Sequence, residues 1–332
     1  MFLVLGSSLD PHVSSVCDIL IAKGLDVQLL DYENPSRFAI SFSNVHEDIQ
    51  LLIGDKLCFP KLVWFRSKLR LPNYVSDNNS RSEFSAASEW LGTIHGLKAI
   101  YADLIVPTPI AISLNQHKLY QARVASKSGF NVPPSLMSNE REACLKFSSE
   151  NDDKLIVKSI GPGVIPHRDE GHLHEVLMTM EITREDLLNH PDSDFVRTPS
   201  FLQRNIGKKA EYRVQVVGKD VFPFIINSQD YRVTQTDWRY GNFFLNFQPT
   251  SLPENIIVAL LLFMEDAGLQ YGSVDLIEDE SGEFWFLECN PDGQWKWLDP
   301  IVDNAISEAF ADLFLSIYKK REAVSHDVKM VG

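Results

Sequence analysis

The sequence predicts an α/β protein in three parts, an open-sheet N-terminal domain over 1–107, a small central α+β domain over 108–199 and a C-terminal α+β domain over 200–320, with a charged tail over 321–332. Three observations lead there. Short apolar runs of strand length alternate with helical stretches through the first hundred residues, as in a sheet covered by helices. Later runs sit on either side of Gly-containing turns, as in antiparallel hairpins. The chain has 332 residues, 44% of them hydrophobic and 23% charged, so it can bury the cores such domains need.

Element by element, Phe2 to Leu5 is a short buried strand. Gly6-Ser7-Ser8 and Asp10-Pro11 introduce a helix to about Lys23, Gly24 ends it, and Val27 to Leu30 is the next strand. Ile49 to Leu52 and Lys56 to Phe59 read as a hairpin turned by Gly54-Asp55. Leu62 to Phe65 is a further strand. Asp77 to Ser80 is polar and expected to lack regular structure, ahead of a helix from near Glu83 to Gly96. In the second part, Asn115 to Tyr120 opens a helix that continues to Ser128 and stops at Gly129. Val132 to Ser135 leads into a short strand and a helix starting at Ser138. Leu155 to Lys158 is a strand, and the composition of Ser159 to Gly163 predicts a mobile loop. The third part opens with Phe201 to Gln203, followed by strands at Tyr212 to Val217 and Val221 to Ile226 around Gly218-Lys219-Asp220. Ile256 to Met264 is an apolar buried helix. Gly272 to Ile277 and Phe284 to Asn290 flank a turn at Glu280 to Glu283, a last helix covers Asn304 to Tyr318, and Lys319 to Gly332 is expected to fray.

Charge and composition remove several function classes. With 31 Lys+Arg against 45 Asp+Glu, the formal net charge is -14, which disfavours a general nucleic-acid backbone binder but leaves room for an anion held by a local basic cluster. Cys17, Cys58, Cys144 and Cys289 are far apart and form no CxxC, so neither a disulfide framework nor a cysteine zinc site is expected. The apolar opening Met1 to Leu5 is too short for a signal sequence or a membrane span, and the expectation is a cytoplasmic protein with no membrane partner. There is no GxGxxG and no GxxxxGK[ST], so Gly6-Ser7-Ser8 reads as a tight strand-to-helix turn ahead of a substrate contact.

The residues with chemistry to offer lie later. Asp275 sits in one strand of the last hairpin, and Glu288 and Asn290 close the other. Alternation places Glu288 and Asn290 on one face, and Asp275 can join them from next door. Two carboxylates and an amide oxygen are hard ligands suited to Mg²⁺, and an unpaired carboxylate in so apolar a strand would be costly. Lys158 ends a strand where a core side chain is expected. Lys118 lies in the first turn of its helix, where a cation is unfavourable against the helix dipole unless an anion is near. Both suit phosphate neutralisation, although a solvated helix lysine would explain Lys118 alone. Arg213 shares a strand face with Glu211 and can either clamp a phosphoryl group or form a salt bridge to a neighbouring strand. Asp237-Trp238-Arg239 adds a further cation beside an acid and an aromatic ring.

These residues, in this order, resemble the ATP-grasp superfamily, and within it the ligases that modify ribosomally made peptides, the microviridin-type macrocyclases or graspetide maturases. The resemblance covers nearly the whole chain. It runs through Asn115-Gln116-His117-Lys118-Leu119-Tyr120-Gln121, Gly129 to Pro134, Ile156-Val157-Lys158, Phe201 to Val214 and Asp237-Trp238-Arg239, and ends in Phe286-Leu287-Glu288-Cys289-Asn290-Pro291-Asp292-Gly293-Gln294-Trp295. It implies an ATP-grasp fold whose first domain is the pre-ATP domain, with ATP and Mg²⁺ as cofactors. It implies that Lys118 and Lys158 contact the nucleotide phosphates, that Gln203, Arg204, Asn205 and Ile206 carry the adenine ring, and that Arg213 meets the γ-phosphate. Asp275, Glu288 and Asn290 would hold magnesium, with Arg213, Lys158 and Arg239 as the catalytic cations. Two positions depart from the family's usual pattern. Ser159 follows Lys158 where the family writes proline, and the loop from Gly161 to Gly171 carries His167, Arg168, Asp169 and Glu170.

The resemblance also implies the reaction. An Asp or Glu side chain of a precursor peptide is activated as an acyl phosphate, and a Lys amine or a Ser/Thr hydroxyl displaces phosphate to close an amide or ester ring. A leader segment docks away from the chemistry, with the Gly161 loop and His172 to Leu188 as candidate lid and peptide contact, and Glu181, Glu185 and Asp186 as candidate acidic groove residues. The family also permits a homodimer. The rival within the superfamily is a ligase that joins a free amino acid or small peptide to a carboxylate, glutathione-synthetase-like or glutamylating.

Overall fold

The computed structural model of the chain describes residues 1–31, 40–45, 48–66, 78–161, 163–165, 175–241 and 243–330. Phe2–Gly6 lies between Val27–Asp31 and Leu62–Phe65 in a three-stranded parallel sheet. A central parallel strand is covered on both faces, and all five residues of Phe2–Gly6 are buried, which is why that run has no polar alternation. The helix Pro11–Ala22 makes the crossover; Asp10 caps it by accepting from the His12 backbone N–H at 2.9 Å. Gly6-Ser7-Ser8 is the tight turn expected. Asp10 N–H donates to the Ser7 carbonyl at 3.1 Å, and Ser8 donates to the Asp31 carboxylate. The expected hairpin is present as Asp48–Ile53 and Lys56–Cys58, and Ile40–Val45, which the sequence reading does not include, adds a third strand. Asn78 to Ser80 do not lack structure. They begin the helix Asn78–Ile100, whose buried side carries Ile94 and Leu97; Asp77 lies outside the described residues.

The central sheet is antiparallel, in the order Met180–Ile182, Leu155–Lys158, Ser200–Arg204, Ser135–Ser138. Ser138 completes its strand by pairing with Ser200, so the following helix starts at Arg141 rather than at Ser138. The strand Ser200–Arg204 is hydrogen-bonded into this sheet, and the chain leaves it only after Arg204. Val164–Ile165 pairs with Glu175–Val176 in a short hairpin; His167 to Glu170, His172 and Pro162 lie outside the described residues.

The C-terminal sheet has five antiparallel strands, Phe247–Pro249, Asp220–Ile226, Ala210–Val217, Tyr271–Glu278 and Phe284–Asn290 in spatial order. The apolar helix Glu254–Asp266 packs on one face through Ile256, Leu260, Phe263 and Met264. The last helix runs Ala305–Met330, so the tail does not fray at Lys319. It crosses back to the first sheet, where Phe310, Phe314 and Tyr318 join Phe2, Val4 and Trp64 in one core. Its charged end has partners that a sequence does not display. Arg321 donates to the carbonyls of Lys61, Leu104 and Asp103 at 3.2, 2.8 and 3.1 Å, and Lys61 pairs with Glu322 at 2.6 Å. All four cysteines are free and buried. Among the described residues no helix is long and apolar enough to cross a membrane.

Candidate active site

A cavity of about 570 Å³ opens between the central sheet and the C-terminal sheet. Strand alternation selects what faces it. Ile156 and Lys158 come from one central strand and Gln203 from its neighbour, while the odd-numbered Glu211, Asp275 and Ile277 come from the C-terminal sheet. Asp275 stands directly opposite Glu288, and Ser273 opposite Asn290, so the three candidate ligands lie close together on two paired strands, Asp275 midway along one and Glu288 and Asn290 near the end of the other, and all line the cavity. The register shifts by one residue just after Asp275, a bulge that re-aims the strand beside the two carboxylates.

The backbone there is pinned from the helix Lys118–Lys127. The buried Gln121 amide accepts from Cys289 N–H at 2.7 Å and donates to the Cys289 carbonyl at 2.6 Å, which clamps the residue between Glu288 and Asn290. Beyond it, Asn290 to Gly293 forms a turn that admits no side chain at Gly293. A Cβ there would stand 2.2 Å from Ser273 Oγ and 3.2 Å from an Arg213 nitrogen. His12 closes the far side of this turn, accepting at Nε2 from the backbone N–H groups of Trp295 and Lys296 at 3.0 and 3.1 Å. Trp295 itself is 1% exposed and stacked on Phe310, so it packs the core and does not line the cavity.

Several charges in the cavity are paired, and burial with neighbouring charges shifts Glu288, Lys158 and Asp275. Lys118 donates to Glu288 at 2.8 Å. Burial opposes ionisation of Glu288, but Lys118, Lys158 and Arg239 outweigh it and hold the carboxyl down at about 2. Burial pulls the Lys158 ammonium down to about 8, against the attraction of Glu288. Burial pushes Asp275 up; Arg213 opposes that shift and the nearby Glu288 adds to it. Arg213 stands behind Asp275, with one guanidinium nitrogen 2.9 and 3.0 Å from its two oxygens, and is 7% exposed. Among the cations that line the cavity are Lys118, Lys158, Lys208 and Arg239.

The residues fit a nucleotide with magnesium. Among the described residues no group of three or more His, Cys, Asp and Glu side chains gathers around one point; the candidate donors that line the cavity are the carboxylates of Asp275 and Glu288 and the Asn290 amide, oxygens only. Such a partial set suits Mg²⁺, which takes one or two carboxylates and completes its shell with phosphates and water. Gln203 offers a second sign of fit. Its side chain is buried in the cavity wall and donates to Ser135 Oγ at 3.0 Å, while its Oε1 has no hydrogen-bond partner. An unmet buried acceptor costs stability unless a ligand donor reaches it.

The cavity residues outside the sequence candidates include Lys208, Thr179 and Asp237 as an acceptor in its own right. Lys208 donates to Glu211 at 3.1 Å, and Glu211, raised by burial, also accepts from Ser228 at 2.8 Å. Lys208 and Asp237 lie inside the runs Phe201 to Val214 and Asp237-Trp238-Arg239 that carry the resemblance, but the sequence singles out neither; Lys208 sits beside a second lysine, and Thr179 acts through its backbone.

No protein-family model and no curated protein matches the chain. Solved structures do. A RiPP-associated ATP-grasp ligase from Chryseobacterium gregarium, in complex with ADP and a leader and core peptide, superposes with a TM-score of 0.80 at 24% identity, covering 95% of this chain and 96% of the other. The macrocyclase MdnC from Microcystis aeruginosa, bound with precursor peptide MdnA, matches at 26% identity and a TM-score of 0.76, covering 95% and 100%. The ATP-grasp ligase PsnB, complexed with a phosphomimetic variant of minimal precursor, Mg and ADP, matches at 21% identity and 0.71, covering 95% and 98%. These likenesses bear out the α/β fold class and the resemblance read from the motifs.

Proposed function

We propose that this chain, which belongs to the ATP-grasp ligases of the peptide-macrocyclase family and is an ATP-dependent ligase, activates Asp or Glu side chains of a ribosomally made precursor peptide as acyl phosphates and closes them into ω-ester or ω-amide rings. The observation that carries this reading is one cavity in which Lys118, Lys158 and Arg239 face Asp275, Glu288 and Asn290. A carboxylate is a poor electrophile until its oxygen is made a leaving group, and ATP supplies that by phosphoryl transfer. Lys118 and Lys158 neutralise the phosphates, Gln203 to Ile206 carry the base along the crossing segment, and Arg239 from the cavity wall and Arg213 from behind Asp275 meet the transferred group. Asp275, Glu288 and Asn290 would hold magnesium, which neutralises charge on the phosphate oxygens when bound. The nucleophile of the peptide then expels phosphate, and the walls exclude water that would hydrolyse the acyl phosphate.

The leader fits a second cavity of about 420 Å³ on the opposite face of the central sheet. Val157, Ile182, Leu187 and Leu202 line it, with Glu181, Asp186 and Asp194 among its polar residues, so a leader with an apolar face and basic flanks matches it. Glu185 is not part of this lining. Asp186 also closes the capping box of the helix Arg184–Asn189 with Thr183, so it serves the helix first.

The test is incubation with ATP, magnesium and a precursor carrying leader and core. Ring closure removes one water, so products should be lighter by about 18 Da per ring, with ADP released in step. Fragmentation should fail inside the ringed core and succeed in the leader. A gain equal to one amino-acid residue would replace this reading with the amino-acid ligase.

A further inference from the structure

We propose that Asp237 is a positioning residue that aims Arg239 into the nucleotide cavity and ties that aim to the backbone of the central sheet at Thr179. The proposal rests on the reading above in one respect, that the terminal phosphate of ATP lies beside Arg239.

Asp237 lines the cavity with its side chain only 5% exposed, so as a third carboxylate near Asp275 and Glu288 it could be taken for another metal ligand. Its hydrogen bonds exclude that. Oδ1 accepts from the Arg239 backbone N–H at 3.1 Å and from Arg239 Nε at 2.8 Å, while Oδ2 accepts from Thr179 N–H at 3.0 Å and from Arg239 Nη2. A carboxylate has about four lone-pair positions, and these four donors use them. Nothing remains for a metal ion.

The same contacts fix the guanidinium. Nε and Nη2 form a two-point fork on one carboxylate, which sets the plane of the group as well as its position. Nη1 is left for a ligand, on a side chain that is 39% exposed and lines the cavity. Arg239 lines the same cavity as Asp275 and Glu288. Burial disfavours the charged Asp237, and the Arg239 contacts, with help from Thr179 N–H, hold it down at about 2.

Thr179 belongs to the other lobe. It lies just before Met180–Ile182 of the central sheet and just after Glu175–Val176 of the short hairpin, whose root is held by Leu177 N–H donating to the Gly163 carbonyl. A second bond runs alongside, from Thr236 Oγ1 to Glu181 Oε1 at 3.1 Å. The orientation of Arg239 is therefore set by both lobes at once. A cation held this way needs no reorganisation when phosphate arrives.

The experiment compares affinity for a non-hydrolysable ATP analogue with that for ADP, both with magnesium, by titration calorimetry on the full chain. The wild type should prefer the analogue, and Arg239→Ala should lose that preference. Asp237→Asn keeps an acceptor for Thr179 N–H but removes the charge that holds Arg239, whereas Asp237→Ala removes both. Both variants should lose the preference to the same extent, roughly tenfold for one charge-assisted contact. In an Arg239→Ala background, Asp237→Asn should cost nothing further. If Asp237→Asn keeps the preference and only Asp237→Ala loses it, Asp237 merely joins the lobes and the inference is wrong. A wild type without any preference would instead overturn the placing of the terminal phosphate, and the inference would fall with it.

Discussion

At the scale of single residues, the site is a set of charges that burial perturbs and neighbours restrain. Glu288 and Asp275 face each other across a strand pair, and the first is held ionised while the second is pushed up. Replacing either by its amide, Glu288→Gln or Asp275→Asn, keeps the shape and removes the charge. Each should abolish magnesium-dependent ADP release while the circular-dichroism spectrum stays that of the folded wild type; ADP release at the wild-type rate would remove the pair as metal ligands. Lys158 gives a pH signature. Its folded value of about 8 lies below the value of about 10.4 expected for an unfolded lysine. Between the two the unfolded chain binds more protons, so Lys158 makes the free protein gain stability as pH rises through that window, and below pH 8 its penalty is fully present. The difference in melting temperature between wild type and Lys158→Met should therefore shrink from pH 7.5 to pH 10. Phosphates restore the charged form, so ADP binding near pH 8.5 should take up protons, seen as a dependence of the calorimetric heat on buffer ionisation. No uptake would separate Lys158 from the phosphates.

At the scale of elements, the helix Lys118–Lys127 and the strand Phe284–Asn290 act as one unit. The helix supplies Lys118 at its first turn and Gln121 one turn later, and Gln121 holds both polar groups of the Cys289 peptide. Gln121→Leu would leave those groups buried and unpaired, at a cost of about 2–4 kcal/mol. The expected outcome in urea denaturation is a lower midpoint with an unchanged slope, and nucleotide affinity should fall with it because Glu288 and Asn290 flank the freed peptide. The motif Asn115 to Gln121 shows in the sequence, but the partner of Gln121 lies 168 residues away, and no local pattern names it.

At the scale of the molecule, the chain closes on itself. The last helix packs on the first sheet, and the N-terminal amine donates to the Tyr318 hydroxyl at 2.9 Å. Arg321 satisfies three carbonyls of the N-terminal part. Arg321→Ala should lower the stability of that part by about 1–3 kcal/mol, a few degrees of melting temperature for a domain of this size. Nucleotide affinity should be unchanged, since the contact is remote from the cavity. A melting temperature equal to the wild type would mean that the helix end contributes nothing beyond its apolar face.

The sequence by itself determined the strands and helices whose apolar periodicity is uninterrupted, from Phe2–Gly6 to Phe284–Asn290. It also determined the placing of Asp275 and Glu288 in apolar strands, where local pattern and burial demand the same answer. Order along the chain was enough for the family, because the motifs keep their sequence. What only the tertiary structure decided is which groups meet. Asn78 to Ser80 and the tail beyond Lys319 look unstructured by composition, yet both are helical. Asp237 reads as a neighbour of Trp238, yet its carboxylate is filled by Arg239 and by a backbone N–H of the other lobe. Trp295 closes the last motif of the chain, yet it stacks on Phe310 in the core. Periodicity reports the face a side chain takes relative to its own element; a hydrogen bond or ion pair depends on the position of a second element, set by packing of distant segments, and a local pattern carries no record of it.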